Sequence, residues 1–154
     1  MFIKFYVAGK PQGKQRPRFS YNKLTGKTQA YTPQETKDYE AKVMTAYQNA
    51  DGGKFGEQCP VEVFAQAVYP IPADTPPEQR ERMIKGEILP IVKPDCDNVL
   101  KSVLDGLNGV AYEDDSQVVL CQVSKRYGEQ AGLHIIVGEF NRREETKCQT
   151  QATT

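Results

Sequence analysis

One stretch constrains this chain more than any other, residues 93–117, KPDCDNVLKSVLDGLNGVAYEDDSQ. Val99, Leu100, Val103, Leu104 and Leu107 recur at helical spacing and form an apolar stripe. The spacing predicts a short amphipathic helix from about Asn98 to Leu107, stopped at Asn108-Gly109 by a left-handed turn. Carboxylates crowd both of its ends, Asp95 and Asp97 before it and Asp114 and Asp115 after it. If residues 95–97 are extended, Asp95 and Asp97 share a side and Cys96 points away. Asp97, Lys101 and Asp105 fall four apart, on one polar edge of the helix.

The two acidic ends can meet. Ten helical residues rise about 15 Å, and the connector from Asn108 to Ser116 spans up to roughly 30 Å when extended. The chain can return to the helix start and set one of Asp114 and Asp115 beside Asp95 and Asp97; strand alternation lets only one of that pair face inward. Three carboxylates within a few ångström repel each other. A hard divalent cation removes that penalty, and an all-carboxylate oxygen set suits Mg²⁺ or Mn²⁺. The plainer reading is structural: Asp before a helix is a common N-cap, and Asp-Asp is common in turns. Two acidic pairs bracketing one helix, with Lys101 one turn inside it, shift the weight toward a metal site.

Elsewhere the chain alternates short elements. Phe2–Val7 reads as a strand by residue type. Gly13–Lys23 is a loop that carries Lys14, Arg16, Arg18 and Lys23 and two aromatics with no acid. Alone it is a solvated basic loop; beside an acidic metal cluster these four become candidate DNA-phosphate contacts. Lys27 and Tyr31 continue that surface through a hairpin. Thr32-Pro33-Gln34-Glu35 has the form of a capping box opening a helix to about Ala50, with Tyr39, Val43, Ala46, Tyr47 and Ala50 at helical spacing. Pro60–Tyr69 is apolar on both faces and predicts a central strand. Thr75-Pro76-Pro77-Glu78 opens a short charged helix near the surface, ending near Lys85-Gly86. Gln117–Lys125 and Leu133–Val137 are expected to pair as a hairpin. The expected fold is α+β: a single domain with a mixed, mostly antiparallel sheet packed with two main helices, residues 1–140, followed by a polar disordered tail at 141–154.

The run Lys93-Pro-Asp95-Cys-Asp97-Asn98-x-x-Lys101-x-x-x-Asp105-x-Leu107-Asn108-Gly109, followed by Tyr112-x-Asp114-Asp115-Ser-Gln117, resembles the RusA family of Holliday junction resolvases. The matched motif covers about 25 residues, and looser similarity extends from Phe2 to about Val137. The resemblance implies a Mg²⁺-dependent endodeoxyribonuclease of recombination and repair, with Mn²⁺ able to substitute. Such enzymes are often carried by prophages and act as homodimers on four-way DNA junctions. It implies Asp95, Asp97 and Asp115 as metal ligands, Lys101 as the basic residue at the scissile phosphate, and Asp114 as an auxiliary acid.

Composition sets the remaining bounds. The 154 residues suit one domain with a modest core. With 20 Lys and Arg against 20 Asp and Glu the formal net charge is zero, so DNA binding must rest on how charge is distributed. No apolar run approaches a membrane span, no signal peptide is read at Met1–Val7, and the four scattered cysteines lack a zinc spacing; a cytoplasmic protein with reduced thiols is expected. His134, the single histidine, sits in a strand pattern and reads as structural. Two rivals to the resolvase reading stand. One is a non-catalytic module for DNA junctions or forks whose acids merely cap a helix. The other is a metal nuclease for other branched DNA.

Overall fold

The computed structural model describes residues 1–142; the expected tail lies, from residue 143 on, outside the described residues. Six strands and three helices follow in order β1 (Phe2–Ala8), β2 (Arg18–Asn22), β3 (Lys27–Tyr31), α1 (Gln34–Asn49), β4 (Val61–Pro70), α2 (Pro77–Ile84), α3 (Cys96–Leu107), β5 (Val118–Gly128) and β6 (Gly132–Glu139). The fold is α+β. Four strands form one mixed sheet in the order β1-β6-β4-β5, and β2 and β3 form a separate two-stranded ribbon.

The expected β5–β6 hairpin does not form. β4 lies between the two strands, antiparallel to β6 and parallel to β5. The reason lies in β4 itself. Seven of its ten residues are buried, so it is most stable with partners on both edges. The linking residues 129–131 need only cross two strand spacings, about 10 Å, which so short a segment can reach. The parallel β4–β5 pair then needs a crossover, and α3 supplies it.

The sheet turns one face to the helices. Phe5, Ile135, Ala65 and Val123 stand in one register line across it. Their row joins Tyr39, Val43 and Tyr47 of α1 and Val99, Val103 and Leu107 of α3 in a single core. α1 and α3 pack closely because of Gly106. A Cβ there would meet Val43 Cβ at 2.8 Å and the Glu40 carbonyl oxygen at 2.9 Å. α2 buries no residue, as expected of a charged surface helix. Neither expected capping box forms: Pro33 and Pro76 occupy the N-cap positions, without side-chain cap bonds. Glu35 instead accepts from Gln15 Nε2 at 3.0 Å.

Candidate functional site

α3 begins two residues earlier than its apolar spacing implies, at Cys96, with Asp95 extended at the N-cap. Residues 95–97 are therefore not a short strand. Asp97 is already helical, so alternation does not orient the pair. Asp95 does not cap the helix with its side chain; its carboxylate accepts from Asn98 Nδ2 at 3.3 Å. Among the described residues neither Asp97 nor Lys101, both exposed, enters an ion pair. The start of α3 thus presents exposed carboxylates whose oxygen lone pairs are not used up by helix N–H groups.

The sheet holds this helix start in place. The Tyr69 hydroxyl donates to the Pro94 carbonyl at 2.7 Å. Lys125 Nζ donates to the Val92 carbonyl at 2.5 Å and lies 5.1 Å over the Tyr69 ring. Burial pushes the Tyr69 phenol up to about 12, and negative charge at Cys96 and Asp95 adds to the rise. The phenol therefore stays protonated and keeps donating at neutral pH.

Asp114 and Asp115 are at the other end of α3. The connector spends its length on the helix terminus instead of returning. Asn108 bridges Tyr112, Ala111 N donates to the Leu107 carbonyl at 2.9 Å, and the buried Tyr112 donates its hydroxyl to Leu104 O at 2.7 Å. Burial raises the Tyr112 phenol, and Asp115, Asp105 and Asp114 raise it further. Asp114 caps the following 3-10 turn by accepting from Ser116 N at 3.1 Å. The Ser116 side chain first, and then this backbone bond, hold its carboxyl below the usual range. The eleven steps from Cys96 to Leu107 put about 16 Å of helix between the two acidic ends. Consistent with this, no group of three or more His, Cys, Asp or Glu side chains among the described residues is gathered closely enough to hold a metal. In donor chemistry Asp95, Asp97 and Asp115 fit Mg²⁺, being hard carboxylate oxygens; within one chain they are not assembled.

The basic segment, in contrast, does reach the start of α3. Lys14 N donates to the Asn98 carbonyl at 3.0 Å. Ser102 Oγ lies 3.1 Å from the Gln12 carbonyl. Gln15 N donates to Thr36 Oγ1 of α1 at 3.3 Å. Gly13 is needed there, since a Cβ would lie 2.7 Å from Pro94 Cβ and 2.9 Å from Asn98 Cβ. An open groove of about 440 Å³ results, lined by Lys10, Gly13, Glu35, Lys93, Asp95 and Asn98 among others.

The four candidate phosphate contacts divide. Arg16, Arg18 and Lys23 are exposed. Lys14 is turned inward, 2.5 Å from Asp105 Oδ2 and 3.2 Å from Glu40 Oε1. Its partial burial would lower its pKa, but the bonds to Asp105 and Glu40 outweigh that and leave it raised. Lys14 is an anchor of the loop, and Asp105 is its partner and not a free acid beside Lys101. Sequence reasoning missed this pair, along with Gly13, Ser102 and Tyr69. A serine inside an apolar helical stripe was the one local signal available for Ser102.

Known proteins resemble this chain over most of its length. The model of the family described as Endodeoxyribonuclease RusA matches residues 8–138. The uncharacterized protein YqaN of Bacillus subtilis (strain 168) is 33% identical over 140 residues, which cover 90% of this chain and 97% of that protein. No helix among the described residues is long and apolar enough to cross a membrane.

Proposed function

Because this chain belongs to the RusA endodeoxyribonuclease family, we propose that it resolves four-way DNA junctions by Mg²⁺-dependent hydrolysis of one phosphodiester in each of two symmetric strands. The observation that carries this reading is a juxtaposition. An exposed acidic pair whose Asp95 carboxylate leaves the helix uncapped stands against a segment with six cations and no acid between Lys10 and Tyr31. Acids that merely capped a helix would be bonded to its first N–H groups.

Asp95, Asp97 and Asp115 would hold the ion. When bound, Mg²⁺ supplies an activated water and neutralises charge on the phosphoryl group. Lys101, exposed one turn after Asp97, offsets the negative charge that develops at the scissile phosphate. Arg16, Arg18 and Lys23 hold flanking phosphates and set the strand's register. Asp114 fixes the turn that carries Asp115.

The separation of the acids supports a homodimer. A two-fold axis places one site on each of two equivalent strands. The same axis can bring Asp115 of one copy to the Asp95–Asp97 pair of the other, which α3 prevents within one chain. Mixing Asp95→Asn with Asp115→Asn protein tests this. Activity regained in the mixture supports a shared site, whereas a dead mixture of exchanging subunits places each site in one chain. For the reaction itself, a synthetic four-way junction and a linear duplex of the same sequence are compared with Mg²⁺ and with EDTA. Paired cuts in the junction alone, and only with Mg²⁺, are expected. Absence of metal-dependent cutting would leave a junction-binding module, and equal cutting of both DNAs would remove junction specificity.

A further inference from the structure

The β2–β3 ribbon takes no part in the core. All ten of its strand residues are exposed. Its shape is nevertheless well defined by its turn: Asn22 Oδ1 accepts from Leu24 N at 2.9 Å, Gly26 N donates to Asn22 O at 2.8 Å, and Gly26 has the positive φ of 67° that closes the loop. A lone two-stranded hairpin is marginal in water, so a fold that retains one, with large apolar side chains on it, points to a partner.

Register sorts the two faces. Phe19 lies opposite Ala30 and Tyr21 opposite Thr28, so both rings share one uncharged face. Arg18 opposite Tyr31, and Asn22 opposite Lys27, occupy the other. Phe19 is 73% and Tyr21 62% exposed, and Leu24 at the tip is 97% exposed. Five of the six cations between Lys10 and Tyr31, all but the paired Lys14, select a polyanion as the occupant. The rings select its bases, because flat aromatic faces stack on any base whatever its sequence. Intact duplex arms keep their bases stacked and show only groove edges, from which Phe19 can take no hydrogen bond. A four-way junction interrupts stacking where its strands exchange. The root of the ribbon, Lys14, is bonded to Asn98 beside Asp95.

We propose that the ribbon is a stacking arm, in which Phe19 and Tyr21 hold unstacked bases at the branch point while Arg18 and Lys27 on the opposite face take phosphates. This rests on the junction reading and adds the part of the junction that is recognised.

The test uses the full chain in EDTA, with 5-iododeoxyuridine placed either at the branch point or in the middle of an arm. Near-ultraviolet light joins this base to an aromatic side chain stacked on it. Branch-point DNA should cross-link to Phe19 or Tyr21, and mid-arm DNA should not. F19A/Y21A should bind the junction about tenfold more weakly for each base that loses its ring, with duplex affinity unchanged. F19Y/Y21F, which keeps both rings, should bind as wild type. Cross-links that avoid the ribbon, or that form equally from both positions, overturn the proposal. So does equal loss of junction and duplex affinity in F19A/Y21A. Sedimentation showing that F19A/Y21A has lost a dimer overturns it too, since the rings would then cover a second copy. Wild-type protein that cuts junctions with Mg²⁺ yet gives no ribbon cross-link refutes the arm alone, and wild type without junction preference refutes the reading beneath it.

Discussion

Lys14 separates structural charge from DNA-binding charge most cleanly. Replacing it with Met keeps the length and removes the ammonium, leaving Asp105 and Glu40 facing each other across the loop. The side chains of Lys14, Glu40 and Asp105 are 23%, 21% and 23% exposed. An exposed pair is worth about 0–1 kcal/mol, and removing one partner of a fully buried pair costs about 3–5 kcal/mol. At roughly three-quarters burial, Lys14→Met should lose about 2 kcal/mol. For a chain of 154 residues this lowers Tm by about 4–8 °C.

The pH dependence has a definite sign. The pKa of Lys14 is raised above its ordinary 10.5 in the folded protein. Its contribution is therefore complete below 10.5 and is lost as pH climbs through the raised folded value. Thermal melts of both proteins should differ by a constant amount from neutral pH to about 10, and the difference should shrink above 10.5. Junction titrations across salt should give the same log–log slope for both, since no phosphate contact is removed. An unchanged Tm with a slope reduced by about 0.9 would show that Lys14 grips a phosphate, and would refute its anchoring role.

Asp95→Asn and Asp97→Asn should abolish cleavage and leave junction binding intact or tighter, because each removes a charge that repels DNA when no metal is bound; wild-type turnover in either would end that residue's assignment as ligand. Asp115→Asn should lose more activity than Asp114→Asn at saturating Mg²⁺, because the amide oxygen that replaces the Asp114 carboxylate can still accept from Ser116 N, and the reverse order would exchange their roles. Arg16→Ala with Arg18→Ala should flatten the salt dependence of binding by about 0.9 per lost contact, with turnover at saturating enzyme little changed; Lys101→Ala should do the opposite. Gly106→Ala should destabilise by about 1–3 kcal/mol in denaturant melts through overpacking against Val43 and Glu40, and an unchanged midpoint would mean that α1 can move aside freely.

Local signals identified α1, α3 and the central strand β4, because periodicity and β-rich residue types act over a few residues; they left Arg18–Asn22 in a loop, where β2 pairs with β3. They failed where a choice is made between distant partners. The turn after Tyr127 looks the same whether β5 pairs with β6 or straddles β4; only the burial demanded by both faces of β4 decides. Lys14 reads as one more cation of a basic loop because Glu40 and Asp105, 26 and 91 residues away, are invisible at that range. Gly106 reads as a helix weakness until α1 is laid against it. The acids show the same division most sharply. Contour length allows the connector to bring Asp115 back to Asp95. Burial of Tyr112 and its bond to Leu104 O consume that length at the far end of α3. Residue types in the stretch from Lys93 to Gln117 therefore carry the proposed chemistry, while the distance between the acids depends on a buried tyrosine that has no part in it. Any assembly that completes the acidic set must act across that distance, and exchange of subunits between the Asp95→Asn and Asp115→Asn proteins measures whether a second copy does so.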